Sequence, residues 1–276
     1  MGCKIKIDSI EKNLEIDRPS YKFFKEAYDK INTANPNDEN LQEVFRQGIL
    51  KEAKYRGNIP QTKADEVANI ESKKIDYISA RFAMAGGTPL LERIRYLKFF
   101  GKSPNYQNYE NTCALQVSYA FNYGGMPIKN LCSIPSGALQ GDNEHKYCTG
   151  VPKIKELLLN NWKRVEPYSL KNNKDFYKEF CTVKELSQIL RKNQETITIL
   201  NQKRVQELKK ENKQFFSTLQ NLHQNGIITM DIDGWRDAGG HTTFWDKEMG
   251  GFLDETNYLN DERQWVFVRE LCFWKI

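Results

Sequence analysis

The sequence holds no apolar run near the roughly 20 residues that a membrane span requires, which excludes an integral membrane protein. A strong excess of one charge is also missing. Forty-one basic against 36 acidic side chains leave +5, too mild a balance to announce a nucleic-acid binder. The opening residues 1–17 alternate charged and apolar side chains without a continuous apolar core, so no classical secretory signal is expected there. Met-Gly-Cys has the look of a lipidation start, but Lys6 stands where a myristoylation motif takes Ser or Thr. Cysteine is present without a framework. Cys3, Cys113, Cys132, Cys148, Cys181 and Cys272 are scattered over a chain long enough to close a core without disulfide staples. Only three histidines occur, His145, His223 and His241. The one metal-like local arrangement, His145 and Cys148 with Cys132 upstream, lacks a fourth partner at zinc-finger spacing, so no metal is expected.

What remains is the composition of an enzyme-sized globular chain: 276 residues, 39% hydrophobic and 28% charged. Its organisation is uneven. Residues 151–225 carry fifteen basic and eight acidic side chains, a net +7, whereas residues 226–276 carry five and ten, a net −5. Residues 1–90 read as a helical extension. Ile31, Leu41, Val44, Phe45 and Ile49 recur near the helical period, and a second helix is expected from about Lys63 to Met84. Gly86-Gly87-Thr88-Pro89 then makes the best boundary in the chain, with residues 91–276 as the second domain. No motif within 1–90 points to chemistry.

A basic insertion at about 165–225 is expected to be helical. Val205, Leu208, Asn212, Phe215, Leu219 and Leu222 step by threes and fours, which suits a helical hairpin packed on the core better than a coiled coil. Its charge is then the solvated face of that hairpin rather than an anchor for an anionic polymer. The stretches 226–232, 241–245 and 264–274 are β-like and separated by Gly and Asp turns, predicting antiparallel strands. Helices first and strands last give an α+β chain.

Chemistry concentrates at two places. In Asn111-Thr112-Cys113-Ala114-Leu115, Asn111 is a good helix cap, which puts Cys113 in the first turn of a helix. Unpaired N–H groups and the helix dipole favour a thiolate there. A buried cysteine acting as a small apolar side chain is the competing reading. The second place is Gly239-Gly240-His241 at the start of a strand, where paired glycines let another backbone approach and the imidazole can serve as general base. A carboxylate or amide should orient that ring. Asp246, Asp254 and Asn257 are the candidates, and Asp254, placed to reach the ring from the neighbouring strand, is preferred.

These residues carry a resemblance. Asn111 to Leu115, Ser118-Tyr119-Ala120-Phe121-Asn122, Gly226-Ile227-Ile228, Gly234-Trp235, Gly240-His241, Phe244-Trp245, Asp254 and Tyr258 resemble the fourth family of type VI secretion amidase effectors. The residues from Tyr147 to Trp162 fit the same pattern as a helix between the two blocks. The likeness covers about 105–276, with Gln116 standing where the family carries Arg and residues 165–225 longer than their counterpart.

The resemblance implies a papain-like, NlpC-type cysteine peptidase core, with Cys113 as nucleophile, His241 as general base and acid, and Asp254 as the orienting carboxylate. It implies hydrolysis of the γ-D-glutamyl–meso-diaminopimelic acid bond of peptidoglycan stem peptides, without a cofactor. It further implies a cognate immunity protein, a secretion-system component as partner, and action in the periplasm of a target bacterium. Two other readings remain within reach of the same residues. One is a transglutaminase-like acyl transferase or an amidase for another amide; the other is a helical interaction protein without catalysis. A nucleic-acid surface on 151–225 is disfavoured, since its basic residues are not interleaved with stacking aromatics.

Overall fold

The computed structural model describes residues 2–7, 10–15, 18–101, 109–142, 145–162, 170–171, 195–234, 239–263 and 266–276. The chain divides into two compact units, residues 1–163 and 164–276. The expected boundary after residue 90 is therefore displaced by more than seventy residues. It fell on a turn inside the first unit, because the Gly86-Gly87 break joins two packed helices rather than two domains.

In the first unit, a two-stranded antiparallel ribbon, β1 (Gly2–Ile7) and β2 (Ile10–Glu15), precedes the helices. The region expected to be wholly helical thus begins with strands. Helix α1 (Tyr21–Asn32) buries Phe24, Ala27, Tyr28 and Ile31, one stripe at the helical period, and packs against α6 (Cys113–Tyr123). Helix α2 (Glu39–Arg56) starts where the Asp38 side chain accepts the Asn40 N–H at 2.8 Å, and it stops at Gly57. It packs against α3 (Gln61–Glu71), α4 (Tyr77–Ala85) and α5 (Gly87–Leu97). The single helix expected over 63–84 is thus two. They are separated by the one-turn helix Ser72–Lys74 and by Asp76, whose side chain caps α4 at Ser79 N.

One core joins these helices to α6: Ile31, Phe45, Ile49, Phe82, Leu90, Ile94, Leu115 and Tyr119 share it. Where α2 crosses α5 a side chain has no room, because a Cβ on Gly48 would lie 2.6 Å from Ile94 Cδ1. Glu52, only 3% exposed, accepts from Arg56 and from Arg95 of α5, at 2.9 and 2.8 Å. A short ribbon of β3 (Leu139–Gln140) and β4 (Lys146–Tyr147) and helix α7 (Val151–Trp162) complete the unit.

The α4–α5 elbow depends on glycine. Gly86 has φ 61° and ψ −162°, a conformation closed to side chains, and a Cβ there would lie 2.0 Å from Asp142 Oδ2. Gly57 also has positive φ, 72°, but meets no atom within 4 Å. Gly57→Ala should therefore cost about 1 kcal/mol, the ordinary penalty of a left-handed residue. Gly86→Ala adds a collision to a still less accessible conformation and should cost at least about 3 kcal/mol. Equal losses in urea denaturation would show that the elbow relaxes freely.

The second unit is built on a five-stranded sheet in the order β5-β9-β6-β7-β8, every pairing antiparallel. Its strands are β5 (Leu170–Lys171), β6 (Gly226–Asp233), β7 (Gly240–Asp246), β8 (Gly251–Phe252) and β9 (Phe267–Lys275). The three long strands lie where the alternating apolar runs place them. Helix α8 (Glu195–Gln220) packs against β9 and the turn Tyr258–Asn260. Its seam packs on the core: Val205 and Leu208 bury against Phe267, and Leu219 joins Ile228, Trp245, Val268 and Phe273.

Asn212, 1% exposed, is the polar member of that seam. It accepts the Val268 N–H at 2.8 Å and donates to the Val268 carbonyl at 3.0 Å, so the seam packs on the core through strand β9. The rest of the expected insertion, residues 165–169 and 172–194, and with it the other arm of the expected hairpin, lies outside the described residues. A largely helical first unit and a second unit built on an antiparallel sheet make the chain α+β.

Candidate active site

The nucleophile candidate opens helix α6. Cys113 is its first residue, 6% exposed, and the helix runs into the core of the first unit, where Ala114 to Asn122 are all buried. The segment before it is tied down from several helices. Arg93 of α5, 3% exposed, donates to the Tyr109 carbonyl at 3.0 Å, to Ser79 Oγ at 3.2 Å and to Asp76 Oδ2 at 2.9 Å. Asp76 is held below the usual carboxylate range: burial pushes it up, but hydrogen bonds from Ser79 and the charge of Arg93 outweigh that.

Asn111 caps the helix as the sequence suggests, one residue further out than the cap position proper. Its Oδ1 accepts the Cys113 N–H at 3.0 Å, while Thr112 occupies the cap and its carbonyl takes the first helical bond, from Gln116 N at 2.8 Å. The Cys113 N–H is thus engaged by Asn111.

Farther along α6, the block Ser118 to Asn122 is structural. Ser118 Oγ donates to the Cys148 carbonyl at 3.1 Å and accepts its N–H at 2.9 Å. Asn122 donates to the Lys146 carbonyl and accepts the Ile128 N–H, at 2.8 and 3.0 Å. These bonds staple α6 to β4 and to the turn Ile128–Asn130.

The general-base candidate sits in the second unit. His241 is the second residue of β7, paired with Met230 of β6, and is 5% exposed. Its Nε2 lies 2.7 Å from Asp254 Oδ2. Asp254 follows β8, and Thr256 completes it: the Thr256 hydroxyl donates to Asp254 Oδ1 at 2.7 Å and its N–H reaches the same oxygen at 3.3 Å. Tyr258 packs its ring edge-to-face on the imidazole, with centroids 5.0 Å apart. Burial pushes the Asp254 carboxyl up, but the hydrogen bond and charge of His241, with the bonds from Thr256, outweigh it and hold the group below its ordinary value. The carboxylate is thereby kept ionised beside the ring.

The rival carboxylate is otherwise occupied. Asp246 ends β7 and uses Oδ1 to accept the N–H groups of Glu248 and Met249, at 2.8 and 3.2 Å. Asn257 places its Oδ1 out of solvent and off the imidazole. The loop residues Trp235 to Ala238 before His241 lie outside the described residues.

Two groups of residues escape a reading by motif. Thr256 is one, although a Thr two residues after an Asp is the signature of a side-chain-closed turn and could have been found. Arg81 and Arg93 inside helices and Asn32 at the end of α1 are the other, and polar residues in a region without motifs give no such signal.

The metal-like arrangement does not assemble. His145 stacks on Tyr123 with centroids 4.8 Å apart, Cys132 is disulfide-bonded, and burial pushes the Cys148 thiol up to about 12. Among the described residues no cluster of three metal-ligating side chains forms. No described helix is long and apolar enough to cross a membrane.

No family model and no curated protein matches the sequence. Among solved structures the chain is similar to a Tae4/Tai4 effector–immunity complex from Salmonella typhimurium, at 14% identity and a TM-score of 0.49, over 94% of this chain and 99% of that one. Similar values hold for Salmonella typhimurium Tae4 in complex with the immunity protein Tai4 from Enterobacter cloacae: 16% identity, TM-score 0.49, and coverage of 94% and 99%. The type VI effector Tae4 from Enterobacter cloacae gives 13% identity and a TM-score of 0.47, over 95% of this chain and 99% of that one.

Proposed function

We propose that the chain is a cysteine amidase that cuts peptidoglycan stem peptides at the γ-D-glutamyl–meso-diaminopimelic acid bond. The observation that carries the reading is the His241–Asp254 pair, 2.7 Å apart and locked by Thr256, in a chain whose other chemical residue, Cys113, begins a helix. A thiol at a helix start and a carboxylate-oriented imidazole are the parts of nucleophilic acyl transfer. The sequence resemblance to the amidase effectors supplies the substrate class.

In this mechanism Cys113 attacks the amide carbonyl and forms a thioester. His241, fixed through Nε2 by Asp254, takes the thiol proton on Nδ1 and returns it to the leaving amine. Water activated by the same nitrogen then hydrolyses the acyl-enzyme and restores the thiol. The oxyanion needs N–H donors from the α6 start, and the Cys113 N–H can join them once Asn111 yields it. The resemblance also implies delivery by a type VI secretion system to a target cell's periplasm, and a cognate immunity protein that blocks the enzyme in the producer.

Mass spectrometry of the soluble fragments from purified sacculi tests the reaction. The expected product ends in a free D-glutamate carboxyl, paired with a new diaminopimelate amino terminus. Fragments that carry cuts only at other bonds, or none, would contradict it.

A further inference from the structure

Region 1–90 carries no chemical motif, yet two of its side chains hold the start of α6. Arg81, in the middle of α4, donates through Nη1 to Thr112 Oγ1 at 3.0 Å. Through Nη2 it donates to Asn32 at the end of α1, to the carbonyl at 3.1 Å and to Oδ1 at 2.8 Å. Gln116, one turn into α6, donates from Nε2 to the same Asn32 Oδ1 at 2.8 Å, and its Oε1 accepts the Thr112 hydroxyl at 3.4 Å. The four residues close a ring: Asn32, Arg81, Thr112, Gln116 and back to Asn32.

The ring is specific in its chemistry. Its one cation is a planar fork that reaches two partners at once, which an ammonium on a flexible stem does not reproduce. The Thr112 hydroxyl accepts from Arg81 and spends its single hydrogen on Gln116. That leaves the Gln116 amide one orientation, with nitrogen to Asn32 and oxygen to Thr112. Thr112 and Gln116 are each 4% exposed, so water does not substitute readily for a lost partner. Thr112 is also the residue whose backbone leads directly into Cys113, at φ −107° and ψ 0°. Fixing its side chain fixes the direction in which the first residue of α6 leaves.

We propose that this ring is a positioning device for the Cys113 thiol, so that α1 and α4 are working parts of the nucleophile's mount rather than an appended extension. The proposal rests on the reading of Cys113 as nucleophile. It assigns Arg81, Asn32, Thr112 and Gln116 as positioning residues that act through the start of α6 without touching substrate.

Thr112 gives the sharpest test, because Val preserves its shape and removes only the hydroxyl. In the full chain, Cys113 alkylation by iodoacetamide is followed by mass spectrometry of the Cys113 peptide, and kcat and KM are measured on soluble muropeptides. Thr112→Val should slow alkylation and lower kcat by about tenfold with KM changed less than about twofold, the pattern of a displaced reacting group rather than lost binding. Thr112→Ser, which keeps the hydroxyl, should stay within about twofold of wild type on both readouts. Arg81→Lys, unable to span Thr112 and Asn32 together, should fall with the Val variant, and it decides the matter if Thr112→Val does not fold.

Wild-type alkylation in folded Thr112→Val or Arg81→Lys would overturn the proposal, as would a Ser variant as slow as the Val variant. Should the wild-type chain leave muropeptides uncut, the amidase reading fails. The alkylation rates would still decide the ring.

Discussion

Cys113→Ala should lower peptidoglycan hydrolysis by at least about 10³-fold, because without the sulfur no thioester forms and only binding and oxyanion stabilisation remain. The fold should survive. Cys113 is a buried residue at the first position of α6, where alanine keeps the helix and removes a single sulfur atom. Loss of one sulfur atom there should cost about 1 kcal/mol, a shift of a few degrees in Tm for a chain of this size. Activity and Tm measured together separate the two effects. More than a tenth of wild-type turnover in a well-folded Ala variant would mean that another group attacks the amide.

His241→Ala should be nearly as damaging, since the same imidazole withdraws the thiol proton and protonates the leaving amine. Asp254→Asn should cost less in rate, because its part is to orient the ring through Nε2 and to stabilise the imidazolium. It should also change the acid side of the pH profile. With its folded value held below the ordinary carboxylate range, Asp254 contributes stability that is fully present above that ordinary value. That contribution is lost as pH falls through the folded value, and the Asn variant should lack this part of the acid response. Asp246→Asn is the control. Its Oδ1 caps the turn at Glu248 and Met249, an amide oxygen does the same, and activity should stay near wild type. An inactive Asp246 variant beside a normal Asp254 variant would reverse the assignment.

How far the residues disclose this arrangement depends on the range of the interactions involved. The strands of the second unit are legible because alternating apolar runs and Gly or Asp turns are local signals, and 226–233, 240–246 and 267–275 fall where they point. Cys113 at a helix start is legible for the same reason, through Asn111. The partition of the chain is not. Gly86 breaks a helix, and locally that is indistinguishable from a domain boundary. Only the packing of α5 on α2, with Ile94 against Gly48, shows that the chain turns back into the same core.

The α8 seam is legible only in part. Its period announces a buried face without saying what covers it, and Asn212 paired to Val268 reveals a strand. The link from Arg81 to Thr112 spans thirty-one residues and that from Asn32 to Gln116 eighty-four, so no local pattern could bring those four residues together.

The measurement closest to the central claim is direct capture of the acyl-enzyme. The wild-type chain, mixed with soluble L-alanyl-γ-D-glutamyl-meso-diaminopimelate and quenched in acid during turnover, is digested and its Cys113 peptide weighed. A covalent nucleophile predicts an added L-alanyl-γ-D-glutamyl group on that peptide, labile to hydroxylamine as a thioester is, and absent from Cys113→Ala. Turnover with no adduct on Cys113, or the same adduct on the Ala variant, would contradict the account.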